Sequence, residues 1–171
     1  MSQKVSIHEI LANKEKRVEL QKEFLKLYSS PLVCMSVNMP GAYKLTPVST
    51  KIFDEVYKAL LSELSDFQIF KSFTCKESTG KEAIFSIGTD KYTLKQLTCK
   101  LENTHPLGRF VDIDVIGLDG LAISRKELGF DARRCYLCSK DAKVCGRSRA
   151  HTIDELVEFM DFSLKRFEDG V

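Results

Sequence analysis

The chain has 171 residues, of which 43% are hydrophobic and 29% are charged, and its formal net charge is +2. This balance predicts one globular domain over residues 1–171 with a sizeable core, and it excludes the composition of a disordered chain. The sequence shows no secretion-signal pattern and no apolar run of membrane-spanning length, so we expect a cytoplasmic protein without a membrane partner.

Capping signals place a helix at each end of the chain. SIHE at residues 6–9 is a capping box and predicts a helix that ends near Tyr28, within an N-terminal region of residues 1–30. TIDE at residues 152–155 begins a second helix, which completes a region of residues 125–171. The apolar residues expected to face the core from the first helix are Ile7, Ile10, Leu11, Val18, Leu25 and Tyr28. Those expected from the last helix are Ile153, Leu156, Val157, Met160, Leu164 and Phe167.

The region between them, residues 31–124, alternates strand and helix patterns. The predicted elements are a strand at 32–38, a helix at 50–64, two hairpin strands at 67–76 and 82–88, a helix or a strand after Asp90, and strands at 109–116 and 121–124. From residue 32 the order is β-α-β-β-α-β. This order predicts an α+β fold of ferredoxin-like type with an antiparallel or mixed sheet.

Two aspartates alternate along the predicted strand at 109–116. Asp112 and Asp114 should project from one face, while Val111, Ile113 and Val115 pack on the other. Adjacent carboxylates repel each other, and Mg²⁺ carried by a phosphorylated substrate would neutralise them. The alternative is a solvated edge strand whose polar positions happen to be aspartates, and the pattern alone does not decide between the two.

Charge is distributed unevenly near the C-terminus. Residues 122–151 contain eight Lys or Arg against three Asp or Glu, whereas residues 152–171 contain six acids against two bases. A short basic segment of this kind suits a polyanionic small ligand or an acidic protein surface. It lacks the interleaved aromatic residues of single-strand binders, so we expect no nucleic-acid partner.

The same segment contains a cysteine and histidine pattern. Cys135, Cys138, Cys145 and His151 have the spacing C-x2-C-x6-C-x5-H, which offers the donor atoms of a tetrahedral zinc site. Two alternatives remain: the cysteines are packed thiols and His151 merely precedes the last helix, or His151 and the neighbouring arginines bind a ligand. The other three cysteines, Cys34, Cys75 and Cys99, lie in apolar or alternating stretches and are expected to be packed thiols.

Four stretches together carry a family resemblance. They are PGAYK at 40–44, HPLGRFVDIDV at 105–115, RRCYLC at 133–138 and AKVCGRSRAH at 142–151. With them the chain resembles the apo-citrate lyase phosphoribosyl-dephospho-CoA transferases, also called citrate lyase holo-acyl-carrier-protein synthases. One departure is the pair Phe110-Val111, where a Leu-Trp-like pair is expected.

The resemblance implies a nucleotidyltransferase-type reaction. The prosthetic group of 2′-(5″-triphosphoribosyl)-3′-dephospho-CoA would pass to a serine of the citrate lyase acyl carrier protein, the γ subunit, and pyrophosphate would leave. For this reaction the residues predict catalytic roles for Asp112, Asp114, Arg109 and His105, with Mg²⁺ on the two aspartates. Either aspartate or His105 could accept the serine proton, and Asp114 is favoured. The expected phosphate-binding residues are Lys44, Arg133, Arg134, Arg147 and Arg149.

Two alternatives to this function follow from the same residues. One is a zinc-stabilised module that binds an acidic protein through the basic segment without catalysis. The other is the same transfer onto a different carrier, such as that of malonate decarboxylase.

Overall fold

A computed structural model describes residues 3–170 of the chain as an α+β fold. In chain order the described elements are α1 (Ile7–Tyr28), β1 (Leu32–Val37), α2 (Pro47–Glu63), β2 (Ile69–Glu77), β3 (Gly80–Ile87), α3 (Lys91–Thr104), β4 (Val111–Ile116), α4 (Ala142–Ser148) and α5 (Ile153–Glu168). One-turn 3₁₀ helices lie at Gly108–Phe110 and Arg125–Leu128. Among these elements, no helix combines the length and the apolar character needed to cross a membrane.

The four strands form one sheet in the order β2-β3-β1-β4, and each neighbouring pair is antiparallel. The sequence predicted an antiparallel or a mixed sheet, and the observed sheet is antiparallel. In the register of β1 and β4, Cys34 lies opposite Asp114 and Ser36 lies opposite Asp112. The carboxylates thus stand beside the central strand, and β4 is an edge strand.

The main core lies between one face of the sheet and the helices α2, α3 and α5. Val33 and Met35 of β1 alternate with residues of the opposite face, and both are at most 1% exposed. Strands bury every second residue on one face because successive side chains point to opposite sides. Helix α3 begins after the N-cap Asp90, which confirms the helix among the two predicted alternatives.

Helix α1 covers the opposite face, and its predicted apolar side was largely wrong. Ile7 is 75% exposed and Leu11 52% exposed, whereas Phe24, absent from the prediction, is buried against Leu32 and Ile84. The residues of α1 expected to face the core are thus mostly in solvent. The physical reason is that this face of the sheet is partly polar.

The contacts of α1 with the sheet reflect that polarity. Asn13 Nδ2 donates a hydrogen bond of 2.8 Å to Glu82 Oε1, and Arg17 forms an ion pair of 3.2 Å with the same carboxylate. Farther along the helix, Gln21 Nε2 donates to Cys34 Sγ at 3.3 Å. In the last turns of α1, Leu25 and Tyr28 pack against the buried cluster as predicted. Apolar periodicity therefore failed for the earlier turns, where Ile7, Ile10, Leu11 and Val18 are exposed.

Several element boundaries differ from the prediction. Residues 109–110 belong to a 3₁₀ turn rather than to β4, and the predicted strand at 121–124 is a single bridge between Ile116 and Ala122. Helix α2 begins at Pro47 because Thr46 forms a capping box with Ser49. Helix α4 was not predicted. In α5, Met160 and Leu164 are buried as predicted, whereas Ile153 is 55% exposed.

Candidate active site

The two aspartates lie on the face of β4 that points away from the main core. Val111, Ile113 and Val115 are at most 1% exposed, while Asp112 is half-buried and Asp114 is exposed. The predicted alternation of this strand is therefore confirmed. Packing of the apolar residues fixes the strand, and with it the direction of both carboxylates.

Both aspartates line a cavity of about 510 Å³, called here the aspartate cavity. Its walls come from β4, α3 and the segment that follows β4, and five of its nine charged residues are basic. The basic residues that line it are Lys95, Arg125, Lys126, Arg133 and Lys143. A pair of carboxylates surrounded by cations is suited to a polyphosphate with a divalent ion.

Side chains close the free edge of β4. Ile113 N donates to Glu102 Oε1 at 2.8 Å, and Lys95 Nζ donates to Ile113 O at 3.2 Å. Arg133 Nη2 donates to Val111 O at 2.6 Å. These bonds satisfy main-chain groups that an edge strand otherwise leaves open to pairing with another chain. They also fix Lys95, Glu102 and Arg133 relative to the aspartates.

Glu102 joins two arginines at the wall of the cavity. Its side chain is only 3% exposed, and it forms ion pairs with Arg125, at 2.8 Å, and with Arg133. Burial raises the pKa of the Glu102 carboxyl, and the charge of Arg133 opposes that rise. A buried carboxylate with two guanidinium partners holds both in fixed positions. Glu102 therefore orients cations that the cavity presents to a ligand.

Arg133 also neutralises Asp112. Arg133 Nη1 lies 2.7 Å from Asp112 Oδ1. Burial raises the pKa of Asp112 above its ordinary value of 3.8, while Arg133 acts in the opposite direction and the nearby Asp114 adds to the rise. Additional positive charge would favour the ionised form of Asp112. Asp112 is thus a carboxylate whose ionised form depends on the positive charge beside it.

A second cavity, of about 660 Å³, lies next to the first and is called here the arginine cavity. Arg109 and Arg134 line it together with His105, and Arg125 and Arg133 line both cavities. Six of the nine predicted catalytic and phosphate-binding residues are thus distributed over two adjoining cavities: Asp112, Asp114, Arg133, Arg134, Arg109 and His105. The shared arginines form the boundary between them.

His105 has a defined environment at the end of α3. Its Nδ1 accepts a hydrogen bond of 3.1 Å from Leu107 N, and its ring lies 5.4 Å from that of Phe167. Burial lowers the pKa of His105. Because Nδ1 is an acceptor, the neutral imidazole has its proton on Nε2. His105 therefore has a hydrogen-bond donor at Nε2, and the residue lines the arginine cavity.

Gly108 allows the chain to turn closely against α3 before β4. A Cβ atom at this position would lie 2.6 Å from Leu101 O and 2.8 Å from Glu102 O. No real side chain tolerates such distances to main-chain atoms. The glycine thus sets how Arg109 and β4 approach the end of α3.

Three predicted phosphate-binding residues lie outside both cavities. Lys44 Nζ donates to Met39 O at 2.5 Å, and burial lowers its pKa. Arg147 on α4 and Arg149 at its C-terminal cap are exposed. Neither cavity includes any of the three among its lining residues.

Sequence reasoning missed four of the basic residues of the aspartate cavity and also Glu102. Lys95 and Glu102 occupy buried positions of α3, next to the apolar Leu94 and Leu101. Two charged residues seven positions apart on the buried side of a helix were the available signal, since buried charges are paired. The sequence around Arg125, Lys126 and Lys143 gives no comparable sign that they line the cavity. Their positions depend on how the segment after β4 folds back against that strand.

Cys135, Cys138, Cys145 and His151 come together as one cluster, called here the Cys/His cluster. One donor atom from each lies within 4.8 Å of the others, and Cys138 Sγ is 3.9 Å from Cys145 Sγ. His151 Nε2 is buried and has no hydrogen-bond partner within the described part of the chain. Three sulfurs and an imidazole nitrogen are a donor set that could bind a metal such as zinc.

Comparison with known proteins identifies the family of the chain. Residues 5–167 match the model of the family described as apo-citrate lyase phosphoribosyl-dephospho-CoA transferase. A Vibrio cholerae protein named a probable apo-citrate lyase phosphoribosyl-dephospho-CoA transferase is 42% identical over 157 residues, which cover 90% of this chain and 88% of that protein. An Escherichia coli O157:H7 protein of the same name, without "probable", is 36% identical over 159 residues, which cover 92% of this chain and 87% of the relative. The chain therefore belongs to the apo-citrate lyase phosphoribosyl-dephospho-CoA transferase family.

Proposed function

We propose that this protein transfers the phosphoribosyl-dephospho-CoA group from 2′-(5″-triphosphoribosyl)-3′-dephospho-CoA to a serine of the citrate lyase acyl carrier protein. The observation that carries the proposal is the aspartate cavity, where Asp112 and Asp114 face five basic side chains. Such a site is matched to a triphosphate, which needs several positive charges around it. Membership of the family supplies the identity of the donor and the carrier.

The reaction is a nucleotidyltransferase-type phosphoryl transfer. The serine oxygen forms a bond to the phosphorus next to the ribose, and the bond from that phosphorus to the oxygen that links it to the second phosphate breaks. Pyrophosphate leaves with the electron pair, and the serine proton passes to a base. Catalysis of this kind depends mainly on positioning and on stabilisation of negative charge.

Asp112 and Asp114 are the proposed ligands of Mg²⁺. Oxygen ligands from one or two carboxylates, shared with substrate phosphates, are typical of this ion. When bound, it supplies positive charge that favours departure of the outer phosphates. Arg133, which pairs with Asp112, would then be available to a phosphate oxygen, still oriented by Glu102.

Asp114 is the proposed general base. It is the more exposed of the two aspartates and has no ion pair among the described residues, whereas Asp112 is paired with Arg133. His105 is less suited, because its Nδ1 already accepts the Leu107 amide. We therefore assign His105 a hydrogen-bond donor role in the arginine cavity, with Arg109 and Arg134 as further contacts to the donor.

The exposed arginines fit a different partner. Arg147 and Arg149 lie outside both cavities on the surface of α4. Acyl carrier proteins tend to be acidic around the modified serine, so we propose that these two side chains steer the carrier to the site. Lys44 keeps its proposed phosphate role only if its bond to Met39 O is exchanged for a ligand.

We further propose that zinc is the ion of the Cys/His cluster and that the whole chain acts as one transferase domain. The strand order β2-β3-β1-β4 with crossover helices α2 and α3 supports a ferredoxin-like classification of the core. A CoA-derived donor and a citrate lyase carrier are consistent with a cytoplasmic reaction.

The test is the intact mass of the citrate lyase acyl carrier protein after incubation with this protein, Mg²⁺ and the triphosphoribosyl donor. We expect a gain equal to the donor minus pyrophosphate, and no gain with EDTA. In a matched incubation, the carrier protein of malonate decarboxylase should stay unmodified. Modification of that carrier alone would reassign the acceptor, and modification of neither would favour a non-catalytic binding module.

A further inference from the structure

The geometry of the Cys/His cluster fits a closed metal site. Tetrahedral zinc with bonds of about 2.3 Å to sulfur places two sulfurs about 3.8 Å apart, and Cys138 Sγ and Cys145 Sγ are 3.9 Å apart. A disulfide would bring them to about 2.05 Å. The His151 imidazole provides the fourth donor, and its buried Nε2 has no hydrogen-bond partner among residues 3–170.

The segment that contains the cluster has little apolar packing of its own. Within residues 125–151, Cys135 and Cys145 are the buried side chains, and both are candidate ligands. A chain segment that buries so little apolar surface gains little free energy from packing. A metal ion would supply the missing free energy, as it does in small metal-dependent folds.

The cluster is covalently close to the arginine that contacts Asp112. Arg133 and Cys135 lie on one arm of a short hairpin, in which Cys135 N donates to Lys140 O and Ala142 N donates to Arg133 O, both at 2.8 Å. The cluster ligands Cys138 and Cys145 lie in the turn of this hairpin and on the helix that follows it. Closing the cluster therefore fixes the hairpin on which Arg133 stands.

The cluster also contacts the second arginine through an aromatic side chain. Tyr136, between two ligands, stacks on Phe159 with ring centroids 5.6 Å apart and meets Phe110 edge-on at 5.2 Å. The Arg109 guanidinium lies 5.7 Å from the Tyr136 ring, and its Nη2 donates to Arg134 O at 3.4 Å. Both cavities thus receive an arginine whose position depends on residues 133–138.

We infer that the Cys/His cluster is a structural zinc site that positions Arg133 against Asp112, so that metal loading controls the phosphate-binding side of the aspartate cavity. The zinc site itself stands on the geometry of its four donors. The consequence for phosphate binding rests on the proposed function. The ion does not touch the reacting atoms, and Arg133 is the residue through which it acts.

The first experiment measures zinc in the purified protein by mass spectrometry of the metal. We expect about one zinc per chain in the unmodified protein and in Cys75→Ser, which changes a cysteine of β2 outside the cluster. Zinc should be lost in Cys138→Ser and in His151→Asn, and retained in His151→Cys, which keeps four soft donors. Unmodified protein without zinc after purification and after zinc addition would overturn the inference.

The second experiment follows hydrogen exchange, which does not depend on catalysis. In His151→Asn, or in chelator-treated protein if that variant does not fold, the Cys135 and Ala142 amides should lose protection while the amides of β1 and β3 keep theirs. Unchanged protection of residues 133–142 without zinc would contradict the positioning role.

Inorganic pyrophosphate then connects the cluster to the cavity. Its affinity should fall at least tenfold in His151→Asn and in Arg133→Gln, and the double variant should be no weaker than the worse single variant. If the two losses of pyrophosphate affinity add up in the double variant, the cluster does not act through Arg133. Zinc-loaded protein that does not bind pyrophosphate would instead count against the proposed function, while zinc content and exchange would still decide the metal site.

Discussion

The sheet and the segment after it are built on different physical principles. Residues 32–116 contain most of the buried apolar residues of the described chain, and their alternation sets each strand. Residues 125–151 bury two cysteines, and ion pairs, a short hairpin and the Cys/His cluster hold the segment. Asp112 and Asp114 of the aspartate cavity come from the first region, and four of its five basic residues come from the second. A rigid sheet thus fixes the proposed metal ligands, while a less well-packed segment delivers the proposed phosphate contacts.

Glu102 is the main polar link between the two regions, so its removal should have the largest effect on stability. Glu102→Ala leaves Arg125 and Arg133 without their buried partner, and breaking such a pair costs about 3–5 kcal/mol of the free energy of unfolding. Urea unfolding measures the change. Glu63→Ala, at the exposed end of α2, is the control and should lie within about 0.5 kcal/mol of the unmodified protein. Equal effects of the two changes would mean that Glu102 does not join the regions.

A glycine pair tests how differently the regions are packed. Gly108→Ala would place Cβ against the main chain of α3, and the resulting shift should cost about 1–3 kcal/mol of the free energy of unfolding. Gly146→Ala in α4 meets open space and should be neutral or stabilising by up to about 1 kcal/mol. Thermal unfolding of both variants provides the comparison. A loss of stability at Gly146 as large as that at Gly108 would show that the segment is as tightly packed as the sheet.

The pH dependence of transfer tests the contact between Asp112 and Arg133. Burial raises the pKa of Asp112 above 3.8, so activity that needs the carboxylate should decline as the pH falls through that raised value. Because Arg133 lowers the pKa of Asp112, Arg133→Gln should move the acidic limb of kcat/KM to higher pH. Lys22→Gln on α1 is the control. If the acidic limb of kcat/KM lies at the same pH in both variants and in the unmodified protein, Arg133 does not influence the pKa of Asp112 during transfer.

The smallest effect is expected at the exposed arginines. Arg147→Gln and Arg149→Gln should each raise KM for the carrier protein about two- to fivefold without changing kcat, because exposed charges contribute at most about 1 kcal/mol each. The effect should shrink at high salt. Arg166→Gln on α5 is the matched control. A fall in kcat would instead place these arginines at the reacting groups.

Sequence reasoning succeeded where local pattern determines structure. The alternation of Val111, Asp112, Ile113 and Asp114 was read correctly because each side chain's face follows from its neighbours. The Cys/His spacing likewise predicted a cluster whose members meet in space. In both places the prediction depends only on residues within one short segment of the chain.

Sequence reasoning failed where residues far apart in the chain determine which side chains are buried or paired. The core-facing side of the earlier turns of α1 was assigned wrongly because Glu82, more than sixty residues away, makes the facing surface polar. Glu102 was missed because its partners Arg125 and Arg133 are more than twenty residues later in the chain. The chain path that brings them together has no local signature.

The most direct test of the central claim compares Asp112→Asn and Asp114→Asn with Asp119→Asn in single-turnover transfer to the citrate lyase carrier. Asp119 is exposed beyond the end of β4 and pairs only with Lys91 among the described residues. We predict that each of the first two changes lowers the rate on the order of 10²–10³-fold in folded protein, and that the third leaves it unchanged. Rates within threefold of the unmodified protein for both Asp112→Asn and Asp114→Asn would contradict the assignment of these carboxylates to the reaction.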